Sequence, residues 1–502
     1  MATLLAGFPL LSLLLGLPLA GAALLWALPA RLARTMAVMV AVVELLLAGS
    51  LVGMVHPGQA GFQWVEQFSW MPTVNAHYLL GVDGLSVLFL PCSALLFVAV
   101  LLSSRRESRL YFTLLLALEG VTIGIFCALD TLLFFLFWEL TLVPLYFLVT
   151  LWGIGPQRRF AAIQYTLFML GGGALLLFGF LLAGSGVAAL HAAANVALSP
   201  SSLVFDLPAL LANPLPLDRQ WPVFLLLLAG FAVKTPVVPF HVWLPVLAME
   251  GPVAVVAIMT GLKLGAYGLL RFALPLAPQA AQEWHWLLAG LGVVGIFYGG
   301  LLALVQTNLR RLLAFSSVSH VGLVLLGLST LTVQGVQGAV LQLLNFTVIA
   351  GGLFLLAGFV RWRTESTELV QLGGLVRAMP VASSFFLLFG LASMGLPLTS
   401  GFPAEQLIVL GAMVAQKGAA LAAVGGQILG AAYFLHYYRR AFLGPVRHSV
   451  VAAAADLTWR EGAAMVLLAI PVLLSGIYPQ WIVHFTETAT VRWVARFPGA
   501  MP

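Results

Sequence analysis

The sequence predicts an all-α polytopic membrane protein of about fourteen transmembrane helices, with inverted repeats and two broken helices (spans 7 and 12). Three observations carry that expectation. Of 502 residues, 62% are hydrophobic and only 8% charged, a balance foreign to soluble domains of any number. Apolar runs of about 20 residues, the length of a membrane-crossing helix, recur from one end to the other. The basic residues are spread unequally over the loops between those runs.

In order, the runs lie near 3–28, 35–55, 80–103, 111–129, 131–152, 160–184, 221–244, 251–274, 284–306, 311–330, 333–360, 380–413, 417–438 and 462–484. The first has no basic stretch before it and is followed by many like it, so it reads as span 1 rather than a cleaved signal. Span 7 leads into Pro236, Pro239 and Pro245, which withhold backbone donors and break regular helix. Span 12 is too long for one crossing, and Pro397, Ser400, Gly401 and Pro403 mark a break within it. The longest loop, about 185–220, is rich in small residues and prolines and belongs on the outer surface. The tail after about 485 is short, with no further long helix expected.

Charge tests the layout. With the amino terminus outside, the inner loops hold Arg31, Arg34, Arg105, Arg106, Arg109, Arg158, Arg159, Arg310, Arg311, Arg361, Arg363, Arg377, Arg439, Arg440, Arg447 and Arg460. The outer face holds Arg219, Arg271, Lys417, Arg492 and Arg496. That bias satisfies the positive-inside rule. The net charge of +6 therefore reflects topology and gives no case for nucleic-acid binding. Cys92 and Cys127 stand singly in apolar runs, which leaves no disulfide, iron–sulfur or zinc spacing. Neither a phosphate loop nor a hydrolytic motif is present.

The chemistry lies in the charges that remain inside the spans. Lys234 and Lys263 sit deep in apolar sequence, where a lysine at mid-membrane costs roughly 2.5–3.5 kcal/mol on insertion scales and is a functional residue by default. Lys263 is too central in its span to snorkel to either surface, and Tyr267 follows it by one helical turn on the same face. Glu139 has long apolar sequence on both sides. A carboxylate that makes or breaks a pair with a buried lysine makes that lysine take or release a proton. His320 lies among Ser316, Ser317 and Ser319, hydroxyls able to bond it or hold water beside a group suited to pass protons. As a satisfied core histidine it would have no such role. His241, in the broken region, is a further candidate, and Glu250 and Glu405 fall in or beside spans.

The runs FFLFWELTLVPLYFLVTLWG (134–153), KTPVVPFHVWLP (234–245), RRLLAFSSVSHVG (310–322) and GLPLTSGFPAEQLIVLGA (395–412), with GVDGLS (81–86), resemble the antiporter-like, proton-pumping membrane subunits of respiratory complex I. Within that family the chain is most similar to the M type, because Glu405 stands in span 12 where the L and N types have lysine. The resemblance implies one antiporter-like membrane domain over 1–502, with a first repeat at 111–274, a second at 284–440, and flanking helices at 1–103 and 462–484. It also implies that Glu139 and Lys234 form a charge pair, that Lys263 and His320 make a central relay, and that Glu405 is the exit to the outer face. His241, Glu250, Tyr267, Ser316 and Ser319 are the accessory positions. No metal and no cofactor is expected in this chain; NADH, FMN, iron–sulfur clusters and quinone would belong to partner subunits. The expected partners are the other membrane and peripheral subunits and the bilayer, in a bacterial-type inner membrane or its equivalent.

The chain departs from the family pattern at several points. Val246, Leu247 and Ala248 replace an Asp-Ala-His after the Leu-Pro of span 7, and Phe346 stands where a second relay histidine is usual, after a retained Asn345. Asn308 takes the place of an acid before the Arg pair, and Pro252 to Lys263 is two residues short. A hydrogenase partner, an inorganic-carbon uptake complex or an Mrp-like cation/proton antiporter would use the same fold.

Overall fold

The computed structural model describes residues 8–105, 108–193 and 203–499, so Arg106, the expected start of span 1 and the 194–202 part of the long loop lie outside the described residues. All fourteen expected crossings are helical. Single helices form spans 1 to 6: Leu10–Ala27, Ala33–Met54, Phe89–Ser103, Arg109–Cys127, Thr131–Trp152 and Arg158–Ala193. Span 7 is split into Leu217–Lys234 and Trp243–Glu250, and span 8 runs Val253–Leu276. Spans 9 to 11 are His285–Val305, Leu309–Ser329 and Val333–Thr364. Span 12 is split into Pro380–Ser393 and Gly401–Ala415, followed by Lys417–Ala441 and Trp459–Ile477.

Three features differ from the expectation. Span 3 does not begin at 80: a hairpin of β1 (Gln63–Met71) and β2 (Ala76–Val82) precedes it, turning at Asn75 with φ 57°. Asp83 then accepts from the backbone of Leu85 and Ser86 at 3.0 Å, and this turn converts strand into helix. Span 8 is a third broken helix, interrupted at Leu262 (ψ 94°) and Lys263 (ψ 59°) without any proline. A separate helix, Gln480–Val494, follows span 14, so the tail is helical.

Burial separates core from rim. The central stretches of spans 8, 10 and 11 are 94%, 100% and 100% buried, against 33–44% for spans 1, 2, 6, 9, 13 and 14. A helix hydrophobic and buried all round belongs to the centre of a bundle, so the groups on spans 8, 10 and 11 face protein rather than lipid. The breaks of spans 7 and 8 pack on each other at Gly265, where any Cβ would overlap the Thr235 hydroxyl and the Phe231 carbonyl.

Each face is tied by its own contacts. Opposite the hairpin, Arg310 donates to the carbonyls of Met249 (3.1 Å) and Gly251 (2.7 Å), acceptors that the end of span 7 leaves without helical donors. Arg363 grips the Glu461 carboxylate with two nitrogens, at 3.2 and 2.5 Å, joining span 11 to span 14. On the hairpin face Asp130 caps span 5, accepting from Leu132 (2.9 Å) and Leu133 (3.0 Å), and also accepts from the His77 backbone at 2.9 Å. His77 Nδ1 meets Asp206 at 3.1 Å, so these three groups latch the hairpin to the ends of spans 4 to 6. Burial raises the Asp130 carboxyl pKa, while the His77 and Leu133 amides oppose that rise.

Replacing Asp130 by Ala removes a helix cap and the latch together. A loss of about 1–2 kcal/mol is expected from the cap, read as a lower Tm of the purified protein in detergent; an unchanged Tm would contradict this role.

Candidate proton path

Glu139 and Lys234 come from helices that meet near a break. Lys234 is the last residue of its helical segment, where the free carbonyls of a helix end favour a cation. Its ammonium donates to Thr141 Oγ1 at 2.8 Å and to the Trp138 carbonyl at 3.3 Å, and lies 4.0 Å from the centre of the Trp138 ring. The expected charge pair is not in contact: among the described residues no ion pair joins Lys234 to Glu139. Helical geometry explains the separation. Trp138 and Thr141 are three residues apart and share a face, which is the one Lys234 meets. Glu139 is turned more than a third of a revolution away, and its carboxyl rests against span 6 at Gly173, where a Cβ would overlap Oε1. The two charges act on each other through space.

A cavity of about 30 Å³ links this site to span 8. Thr141, Tyr165, Lys234 and Trp243 line it, together with Leu262 and Leu264, which flank Lys263. That is room for about one water. The hydroxyl of Tyr165 is buried there with no hydrogen-bond partner among the described residues.

Lys263 occupies the break itself, buried, with Nζ 5.3 Å from the Phe346 ring centre and no hydrogen-bond partner among the described residues. The same ring makes a T-shaped contact with His320, centroid to centroid 5.1 Å. Phe346 therefore touches both Lys263 and His320. His320 Nε2 contacts Ser393 Oγ at 3.0 Å and the Tyr433 hydroxyl at 3.3 Å, and Tyr433 in turn meets Ser316 Oγ at 2.8 Å. Ser393 ends the first half of span 12, and Glu405 begins the second turn of the other half. Glu405 is buried beside Gln427 and within electrostatic reach of Tyr433.

The accessory positions divide. Ser316 joins the His320 network through Tyr433, whereas Ser319 bonds the Ile296 carbonyl at 2.9 Å and serves helix packing. Tyr267 leaves the relay: its hydroxyl donates to the Phe126 carbonyl at 3.1 Å and its ring packs on Phe89 and Phe126, because the break at Lys263 sends the two side chains apart. Glu250 is a loop anchor, accepting from the Gln157 backbone at 2.7 Å opposite the hairpin. His241 is buried against Tyr298 (5.0 Å) and Phe315 (6.3 Å), facing spans 9 and 10. Thr141, Tyr165, Ser393 and Tyr433 are site residues that the sequence reading missed; nothing local distinguishes them from ordinary packing residues, except that Thr141 lies one turn from Trp138.

Phe346→His places a titratable ring at a position that touches both Lys263 and His320. A higher rate of proton movement in reconstituted vesicles is expected; a rate equal to the wild type's would show that Phe346 does not limit it.

The fold agrees with the comparisons to known proteins. The model of the NADH:quinone oxidoreductase/Mrp antiporter transmembrane family matches residues 128–430. NADH-quinone oxidoreductase subunit M of Rhodobacter capsulatus is 36% identical over 508 residues, 97% of each chain. NAD(P)H-quinone oxidoreductase chain 4 1 of Synechococcus sp. (strain JA-3-3Ab) is 36% identical over 512 residues, 99% of this chain and 94% of that one. Among solved structures, respiratory complex I from Thermus thermophilus with bound NADH contains a chain of TM-score 0.88 and 32% identity, covering 97% of this chain and 100% of that one. With a match spanning more than half of the chain and relatives aligned over nearly all of it, this protein belongs to the NADH:quinone oxidoreductase/Mrp antiporter membrane family.

Proposed function

We propose that this chain is a proton-translocating membrane subunit of a complex I-type NADH–quinone oxidoreductase, working with other subunits of that assembly and carrying no redox centre of its own. The observation that carries the reading is the line of buried ionisable groups set at helix breaks, in a chain that matches the M-type relatives end to end. NADH, FMN, iron–sulfur clusters and quinone are assigned to partner subunits. The amino terminus and the hairpin lie outside a bacterial-type inner membrane, which puts the Arg-rich face inside in accord with the positive-inside rule.

The repeats at 111–274 and 284–440 have five spans each, an odd number, so they run in opposite senses. In each, the third helix is long, 36 and 32 residues, and the fourth is broken. Glu139 belongs to the first repeat and stands half-buried beside exposed Leu136, Leu140 and Val143, where a neighbouring subunit can alter its field. Weakening the field of the carboxylate lets Lys234 give up its proton, while Thr141 and the Trp138 carbonyl accept hydrogen bonds from the nitrogen in either state. The cavity water receives that proton, Lys263 takes it up, and the His320–Ser393–Tyr433 network passes it to Glu405 across the break of span 12.

Glu139→Ala and Lys234→Ala should each abolish proton pumping coupled to NADH oxidation, with subunit composition retained on native gels. Full pumping by either variant in an assembled complex would sink these roles. Partners identified in the purified native complex separate a respiratory assembly from a hydrogenase, a carbon-uptake complex or a stand-alone antiporter.

A further inference from the structure

Away from the proton path, the hairpin face contains a cavity of about 390 Å³ between the lead-in to the hairpin, the end of span 8 and the last helix. Gly61, Asp83, Arg271, Arg492, Trp493 and Arg496 are among its lining residues. Its charge balance is uneven, with three arginines against one carboxylate. Asp83 is already committed, accepting from two backbone amides with one oxygen and from Arg271 at 2.6 Å with the other.

Arg271 is the built part of the site. It is only 6% exposed, its guanidinium packs 4.7 Å from the Phe62 ring centre, and its Nε and Nη2 have no partner among the described residues. A buried guanidinium with idle donors is costly, and here it lines a space far larger than one water needs. Arg496 spends one nitrogen on the Leu211 carbonyl at 3.3 Å. Its guanidinium is held below its ordinary range by burial and then by the charges of Arg492 and Arg271. Three like charges crowd one hollow, framed by Trp493, whose indole donates to the Leu270 carbonyl at 2.8 Å. Planar guanidinium forks are suited to phosphate oxygens.

We propose that this cavity binds a phosphate anion, either the headgroup of an acidic phospholipid or free phosphate, through Arg271, Arg492 and Arg496. Bound there, the anion joins the hairpin, the end of span 8 and the last helix by a common counter-charge.

The test uses the purified intact complex in detergent and spin-labelled phosphatidylglycerol as the probe, with Arg492→Gln/Arg496→Gln compared against Arg219→Gln, a same-face charge loss outside the cavity. Binding should weaken about tenfold or more in the double variant, the loss of at least one charge-assisted hydrogen bond, and stay at the wild-type level in Arg219→Gln. If millimolar inorganic phosphate displaces the lipid probe, the two share the site. Saturable phosphate binding that the double variant loses, with no lipid effect, identifies free phosphate as the occupant. Equal binding of both probes in all three proteins overturns the proposal. So does binding to the isolated subunit that vanishes in the intact complex, since a neighbouring chain would then fill the cavity.

Discussion

A membrane interior offers no water to a broken helix, so every interruption of the backbone must be satisfied by protein. That constraint organises this molecule. The interruptions in spans 7, 8 and 12 lie against other helices: Gly265 lets the break of span 8 close on that of span 7. The Trp243 indole donates to the Val233 carbonyl at 2.9 Å and Asn345 donates to the Ser400 carbonyl at 2.7 Å. Because the breaks must be buried together, the ionisable side chains at or near them, Lys234, Lys263 and Glu405, are carried into the same protein interior. Structural need and the proposed proton path share one set of positions.

The arrangement around Lys234 separates holding from sensing. Neutral groups, a hydroxyl, a carbonyl and an aromatic face, keep the ammonium in place, while the Glu139 carboxylate stands off on a different helix face, where the proposed function gives it the sensing role. A buried ion pair in contact is expensive to separate, since each charge is left alone in a poor solvent. A carboxylate acting across space alters the lysine's proton affinity without that penalty, and without moving either helix.

Much of this was legible in the sequence, for physical reasons. Lipid imposes a span length and the basic residues mark the loops, so the fourteen crossings follow from hydropathy and charge. Proline exposed the breaks of spans 7 and 12. The break at Lys263 carries no such mark, because it is made by tertiary packing around Gly261 and Gly265 rather than by a missing donor. The hairpin was hidden by its own apolar second strand, which merges into span 3; the Pro-Thr-Val-Asn turn at 72–75 is the signal that could have separated them. Among site residues, buried charges announce themselves by their cost. Ser393, Tyr433 and Thr141 do not, since a hydroxyl on a helix is ordinary until a partner is seen beside it. The spacing of Glu139 and Lys234 placed both near a break but did not show that the two stand apart, because sequence spacing does not say which way neighbouring side chains point.

Phe346 sets a condition on its two neighbours. An aromatic ring offers a cation a favourable face but no site for a proton, and it touches both Lys263 and His320. Under the proposed path, a proton passing from one to the other cannot use this ring as a stepping stone. Hydration of this one spot would then act as a valve on the path.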